Sequence, residues 1–136
     1  MAIVLGIDPG SRITGYGLIE SSSGKLKYIT SGRIIVTEQK DLAERLGLIY
    51  DGISEIVRKY QPTEFAVEKI FVSKSAPSAL KLGQARGAAI IAGSKQGAIL
   101  SEYEARKIKQ AVVGTGSATK EQVQLMVKSL LALSEL

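Results

Sequence analysis

Two acids stand where two short apolar segments end. Residues 3–8 read Ile-Val-Leu-Gly-Ile-Asp, and Pro9-Gly10-Ser11 follows at once. Residues 64–68 read Glu-Phe-Ala-Val-Glu. A strand as apolar as the first is expected to be buried, and an ionised carboxylate at its end is costly unless something positive pairs with it. If both segments are strands of one sheet, Asp8 and Glu68 can converge on one divalent metal ion, a constellation suited to chemistry on phosphate. Each acid also has a plainer reading. Asp8 can shape the Pro-Gly turn, and Glu68 can face outward and pair with Lys69 or another surface base.

The composition narrows the metal. The chain has no Cys and no His, which removes disulfides, thiolate and imidazole metal sites and Ser-His catalysis. A metal must then be held by oxygen, which points to Mg²⁺, with Mn²⁺ as a substitute, rather than zinc. The 136 residues carry a net charge of +5. That modest basic excess is compatible with nucleic acid without requiring it. No apolar run is long enough to span a bilayer, and the N-terminus lacks the layout of a signal peptide. A cytoplasmic protein is expected.

Other residues fit a nucleic-acid partner. Phe71 follows the second acid in a loop with Ser73, Lys74 and Ser75. An exposed aromatic beside a lysine can stack on an unpaired base; its alternative is a core anchor. Arg106, Lys107 and Lys109 cluster, and Gly114-Thr115-Gly116-Ser117 and Lys120 follow. A basic helix and a Gly/Ser turn at a helix start can grip phosphates, or the charges can form a solvated face. Arg12, in the turn after Asp8, and Lys74 join the candidate DNA contacts. The Gly-x-Gly is weak as a nucleotide fingerprint, and no Gly-x-x-x-x-Gly-Lys-Ser/Thr occurs, which argues against a P-loop NTPase.

The elements that would position these groups follow from periodicity. Residues 3–8, 13–20 and 26–36 read as strands joined by tight loops, the second loop being Ser21-Ser22-Ser23-Gly24. Such strands form an antiparallel meander. Leu42, Leu46, Ile49, Ile53, Ile56 and Tyr60 then fall at spacings of three and four, which predicts an amphipathic helix. Asp41 can cap it, Glu44 can complete a capping box, and Gln61-Pro62 ends it. The strand at 64–68 is expected to return parallel to the first. A second helix is expected from Pro77 to about Lys95, a fifth strand at 98–103, and helices near 105–112 and 119–133. Gly83 and Gly87 lie four apart in the second helix, and each costs about 1 kcal/mol relative to alanine. Either they pack against the sheet, or they meet a second copy of the helix. The sum is a single α/β domain over 1–136: a ribonuclease H-like mixed five-stranded sheet with helices on both faces.

The residues at 6–17 (GIDPGSRITGYG), 66–89 (AVEKIFVSKSAPSALKLGQARGAA) and 103–124 (YEARKIKQAVVGTGSATKEQVQ) closely resemble the RuvC family of bacterial Holliday junction resolvases. The resemblance implies a homodimeric, Mg²⁺-dependent endonuclease that nicks two opposing strands of a four-way DNA junction. It further implies work beside a branch-migration motor of the RuvA and RuvB type in recombination and DNA repair. Asp8 and Glu68 match catalytic, metal-binding carboxylates. Asp8 would bridge two ions, and Glu68 would hold one. Phe71 matches an aromatic that enters the junction centre, and Lys109 and Lys120 match contacts to the DNA backbone. The helix at 77–95 matches the dimer helix.

The family has two further metal-binding acids in a final helix, and no residue through Leu136 matches them by motif. The expectation is therefore of a domain lacking its C-terminal helix, which binds junctions and cuts them poorly. Two alternatives have distinct signatures. A ribosomal-RNA-processing RuvC-like nuclease would share the first motif but not residues 71–89. A catalytically incomplete junction-binding module would hold the two carboxylates alone.

Overall fold

The computed structural model describes residues 2–22, 25–37, 41–68 and 76–103. Within them the chain forms β1 (Ala2–Asp8), β2 (Ile13–Ser22), β3 (Lys25–Ile35), α1 (Leu42–Tyr60), β4 (Glu64–Glu68), α2 (Ala76–Ser94) and β5 (Ile99–Tyr103). The sheet has five strands in the order β3-β2-β1-β4-β5. β1, β2 and β3 pair antiparallel, whereas β4 lies parallel to both β1 and β5. The expected mixed five-stranded sheet is present, with boundaries within two residues of those read from periodicity. β2 and β3 run further into their hairpin than expected, pairing Ser22 with Lys25. A register shift between Leu18 and Ile19 lets β3 carry one extra residue.

Alternation decides which face of the sheet receives the helices. Leu5 and Ile7 of β1, Leu18 of β2 and Phe65 and Val67 of β4 are fully buried. They cluster with Ile49, Ile53 and Val57 of α1 and Ala85, Ala89 and Ala92 of α2. Both described helices therefore cover this one face. On the other face Val4, Ile19 and Ala66 are buried as well. The helices expected near 105–112 and 119–133, which would give the second layer, lie outside the described residues.

Asp41 caps α1 through Oδ1, which accepts from the Ala43 N–H at 2.9 Å. Glu44 stands in the first turn, but among the described residues it makes no bond back to complete the capping box. Leu42, expected on the buried stripe, is 40% exposed because the helix enters the core only at its second turn. The helix ends at Gln61, whose left-handed backbone lets its N–H reach the Val57 carbonyl at 2.8 Å. Pro62 then forbids continuation. α2 packs by small residues. An added Cβ at Gly93 would lie 2.9 Å from the Phe65 ring, so the glycine lets the helix sit directly on the sheet. Arg86 of α2 forms an ion pair with Glu102 of β5 and ties the helix to the sheet edge.

Candidate nuclease site

The site is built by the central parallel pair. β1 and β4 pair in the register Val4–Glu64, Leu5–Phe65, Gly6–Ala66 and Ile7–Val67. The next step sets position 8 beside position 68. Asp8 and Glu68 thus close adjacent strands, with about one strand spacing of 4.8 Å between their backbones. They are separated by the whole β2-β3-α1 excursion in sequence and are neighbours only through the sheet.

Asp8 differs from the rest of its strand. Val4, Leu5 and Ile7 are at most 3% exposed, whereas Asp8 is exposed at the mouth of the sheet. The strand therefore serves as a buried stem that presents one carboxylate to solvent. The loop behind it is braced. Thr14, fully buried, donates its hydroxyl to the Gly10 carbonyl at 3.2 Å, and the Gly10 N–H reaches the same hydroxyl at 3.4 Å. The Val36 N–H bonds the Arg12 carbonyl at 2.8 Å. A Cβ at Gly10 would fall 2.2 Å from the Ile13 carbonyl oxygen, so only glycine permits this closure. The backbone of the turn that follows Asp8 is thus fixed by the Thr14 and Val36 bonds.

The exposed carboxylate and the neighbouring acid position offer hard oxygen donors, the donor type that Mg²⁺ and Mn²⁺ take. Among the described residues no group of three or more metal-ligating side chains gathers. A groove of about 490 Å³ opens between Arg58, Gln61, Thr63, Gln96 and Ile99. It lies at the starting ends of β4 and β5, away from the two acids, and has no carboxylate in its lining.

Of the other residues singled out in the sequence, Arg12 is exposed in the turn that follows Asp8. Phe71, Lys74, Lys109 and Lys120 lie outside the described residues. The structure adds one residue the sequence did not bring forward. Asp8 pairs with Gly15, and Gly15 pairs with Arg33. Arg33 thus shares a cross-strand row with Asp8 and is exposed. Only the register of a bulged hairpin reveals this, and that register is not visible in composition or spacing.

The family model for crossover junction endodeoxyribonuclease RuvC matches residues 4–136. The crossover junction endodeoxyribonuclease RuvC of Psychromonas ingrahamii is 58% identical over 134 residues, covering 98% of this chain and 77% of its own length. That of Saccharophagus degradans is also 58% identical over 134 residues, covering 98% of this chain and 78% of its own. Among solved structures, Thermus thermophilus RuvC in complex with a Holliday junction substrate matches with a TM-score of 0.77 and 32% identity, over 97% of this chain and 81% of that one. The yeast mitochondrial Holliday junction resolvase shares the fold at a TM-score of 0.58 and 15% identity, over 79% of this chain and 54% of its own. On sequence and fold together, the chain belongs to the RuvC family of crossover junction endodeoxyribonucleases.

Proposed function

We propose that this protein is a structure-selective endonuclease that resolves four-way DNA junctions by metal-dependent hydrolysis of phosphodiester bonds. The observation that carries the reading is the Asp8–Glu68 pair closing the central parallel strands of a RuvC-family sheet. Mg²⁺, when bound, supplies electrophilic stabilisation of the phosphate and an activated water. The chain's own part is to hold oxygen donors in place. β1 fixes Asp8 by burying the stem beneath it, and β4 fixes position 68 by burying Phe65 and Val67. Arg12, Lys74, Lys109 and Lys120 are assigned to the DNA backbone, and Phe71 to the opened junction centre. The roles of Phe71, Lys109 and Lys120 rest on the family motifs, and those of Arg12 and Lys74 on their places in the segments that follow Asp8 and Glu68.

A homodimer belongs to the same proposal. A two-fold protein matches a two-fold junction and places one site on each of two opposing strands. The supporting feature is the outer face of α2. Leu80, Gly83, Gly87 and Ile91 fall on one stripe, with Leu80 64% and Ile91 52% exposed. Action beside a branch-migration motor of the RuvA and RuvB type follows from the family alone. Among the described residues no helix is long and apolar enough to cross a membrane.

The test is junction cleavage in Mg²⁺ and Mn²⁺ by the wild type, Asp8→Asn and Glu68→Gln. Each substitution is expected to lower cleavage by at least a hundredfold, about 3 kcal/mol of barrier, while junction binding persists. A variant that cuts at the wild-type rate would remove that acid from the site.

A further inference from the structure

We propose that Arg33 is an anchor for the strand being cut: it binds a backbone phosphate next to the scissile one and positions that strand over Asp8. The inference rests on the nuclease reading above and deepens it.

Three observations lead to it. The first is the register. Asp8, Gly15 and Arg33 are directly paired across β1, β2 and β3, so they share one face of the sheet. Arg33 stands two strand spacings from Asp8, about 10 Å between backbones. Gly15 adds no side chain to the row, so the cation and the carboxylate are its only charges on these three strands. The second is availability. Arg33 is exposed, and among the described residues it makes no hydrogen bond or ion pair. Arg86, by contrast, is committed to Glu102. A guanidinium with no partner among the described residues can take a phosphate in its planar fork without first breaking a bond. The third is the neighbourhood. One row further out, Ile13 and Ile35 pair and are 41% and 58% exposed. Two exposed isoleucines beside a free arginine offer apolar surface for a sugar and a charge for its phosphate. A nucleic-acid strand crossing from Asp8 toward β3 would meet them in that order.

The chemistry explains why such a contact belongs here. The carboxylate pair is negative, and DNA approaching it is repelled until a cation intervenes. A fixed positive charge two strands away offsets part of that repulsion and sets the direction of the strand. Arg33 does not touch the reacting atoms, so it acts as a positioning residue.

The experiment measures binding of a synthetic four-way junction to the whole chain in Ca²⁺, as a function of salt, together with cleavage in Mg²⁺. Arg33→Ala, Arg33→Lys and Lys95→Ala are compared. Lys95 is exposed at the end of α2, at the opposite end of the sheet, and controls for net charge. Loss of one phosphate contact lowers the log–log salt slope by about one, so Arg33→Ala should lose roughly three- to fourfold less affinity than wild type between about 50 and 200 mM salt. Arg33→Lys should restore the slope but only part of the cleavage rate, because a point charge does not fix the phosphate as a fork does. Lys95→Ala should match wild type in both. A wild-type slope and rate in Arg33→Ala would overturn the anchor and leave the nuclease reading intact. A wild type that neither binds nor cuts the junction would overturn both. Thermal unfolding of each variant separates a lost contact from a lost fold.

Discussion

The sign of a single substitution on α2 distinguishes a packing glycine from an interface glycine. Gly87 is exposed and Gly83 half-buried, and among the described residues a Cβ built on either meets no neighbouring heavy atom within 4 Å. In an isolated chain nothing would then require either glycine. Gly87→Ala would stabilise the helix by about 1 kcal/mol, the full difference in propensity. If Gly87 instead faces its symmetry mate, the same methyl group enters a contact twice per dimer. The prediction is therefore a change of sign with dilution. Below the dissociation constant Gly87→Ala unfolds at higher urea than wild type, and above it at lower urea. Gly87→Leu sharpens the test. Overpacking costs about 1–3 kcal/mol per site, so two symmetric sites cost roughly 2–6 kcal/mol of dimer, or at least a thirtyfold weaker dissociation constant. Sedimentation equilibrium reads this directly. A Gly87→Leu variant that dimerises like wild type would refute the assignment, as would a Gly87→Ala variant stabilised at every concentration.

Two further outcomes concern the fold. Gly93→Ala should destabilise by about 1–2 kcal/mol despite its better helix propensity, because the new methyl group meets the fully buried Phe65 ring at 2.9–3.0 Å; a raised midpoint in thermal unfolding would show that α2 slides freely on the sheet. Burial, and then the neighbouring Tyr60, push the Tyr16 phenol above its ordinary value of 10.0. The protonated phenol is the form the fold favours, so its contribution is complete below pH 10 and is lost as pH rises through the folded value. Urea midpoints between pH of about 9 and about 11 should fall less steeply in Tyr16→Phe than in wild type, and identical slopes would remove Tyr16 from the alkaline transition.

Much of this arrangement was legible in the sequence because its causes are local. β1 announces itself by an apolar run cut off at Asp8, and α1 by a stripe bounded by Asp41 and Gln61-Pro62. The parallel return of β4 follows from the helix between them. What stayed hidden depends on pairings between distant residues. The glycines at 83 and 87 draw attention through their spacing, yet Gly93 is the one pressed against the sheet. No spacing rule separates them, because the difference lies in which side of α2 meets Phe65. Arg33 is similar. A charged residue in an alternating strand looks like any solvated one until the β2–β3 register sets it across from Gly15. The capping box failed for a smaller reason: the Asp41 half is made through the Ala43 N–H, and the solvent-exposed Glu44 carboxylate gains little by ordering itself.

The same packing that holds the core also sets the site. A strand slipped by one residue turns every side chain to the other face. For β4 such a slip would present Phe65 and Val67 away from the helices and move the acid at 68 out of line with Asp8. The register is held from both sides. The Thr63 N–H bonds the Ile3 carbonyl at 3.0 Å, and the Ile99 N–H bonds the Thr63 carbonyl at 3.0 Å, locking β4 between β1 and β5 where it begins. Phe65 then enters the space that Gly93 leaves open, a fit that neither neighbour of Phe65 in the strand could make. The hydrophobic contact is thus upstream of the chemistry: the site's second acid stands beside its first because a ring three residues earlier in the same strand has only one place to go. Weakening that fit should loosen the alignment of Asp8 and Glu68 before it unfolds the chain, so Gly93→Ala should lose cleavage at temperatures where its secondary structure is still intact.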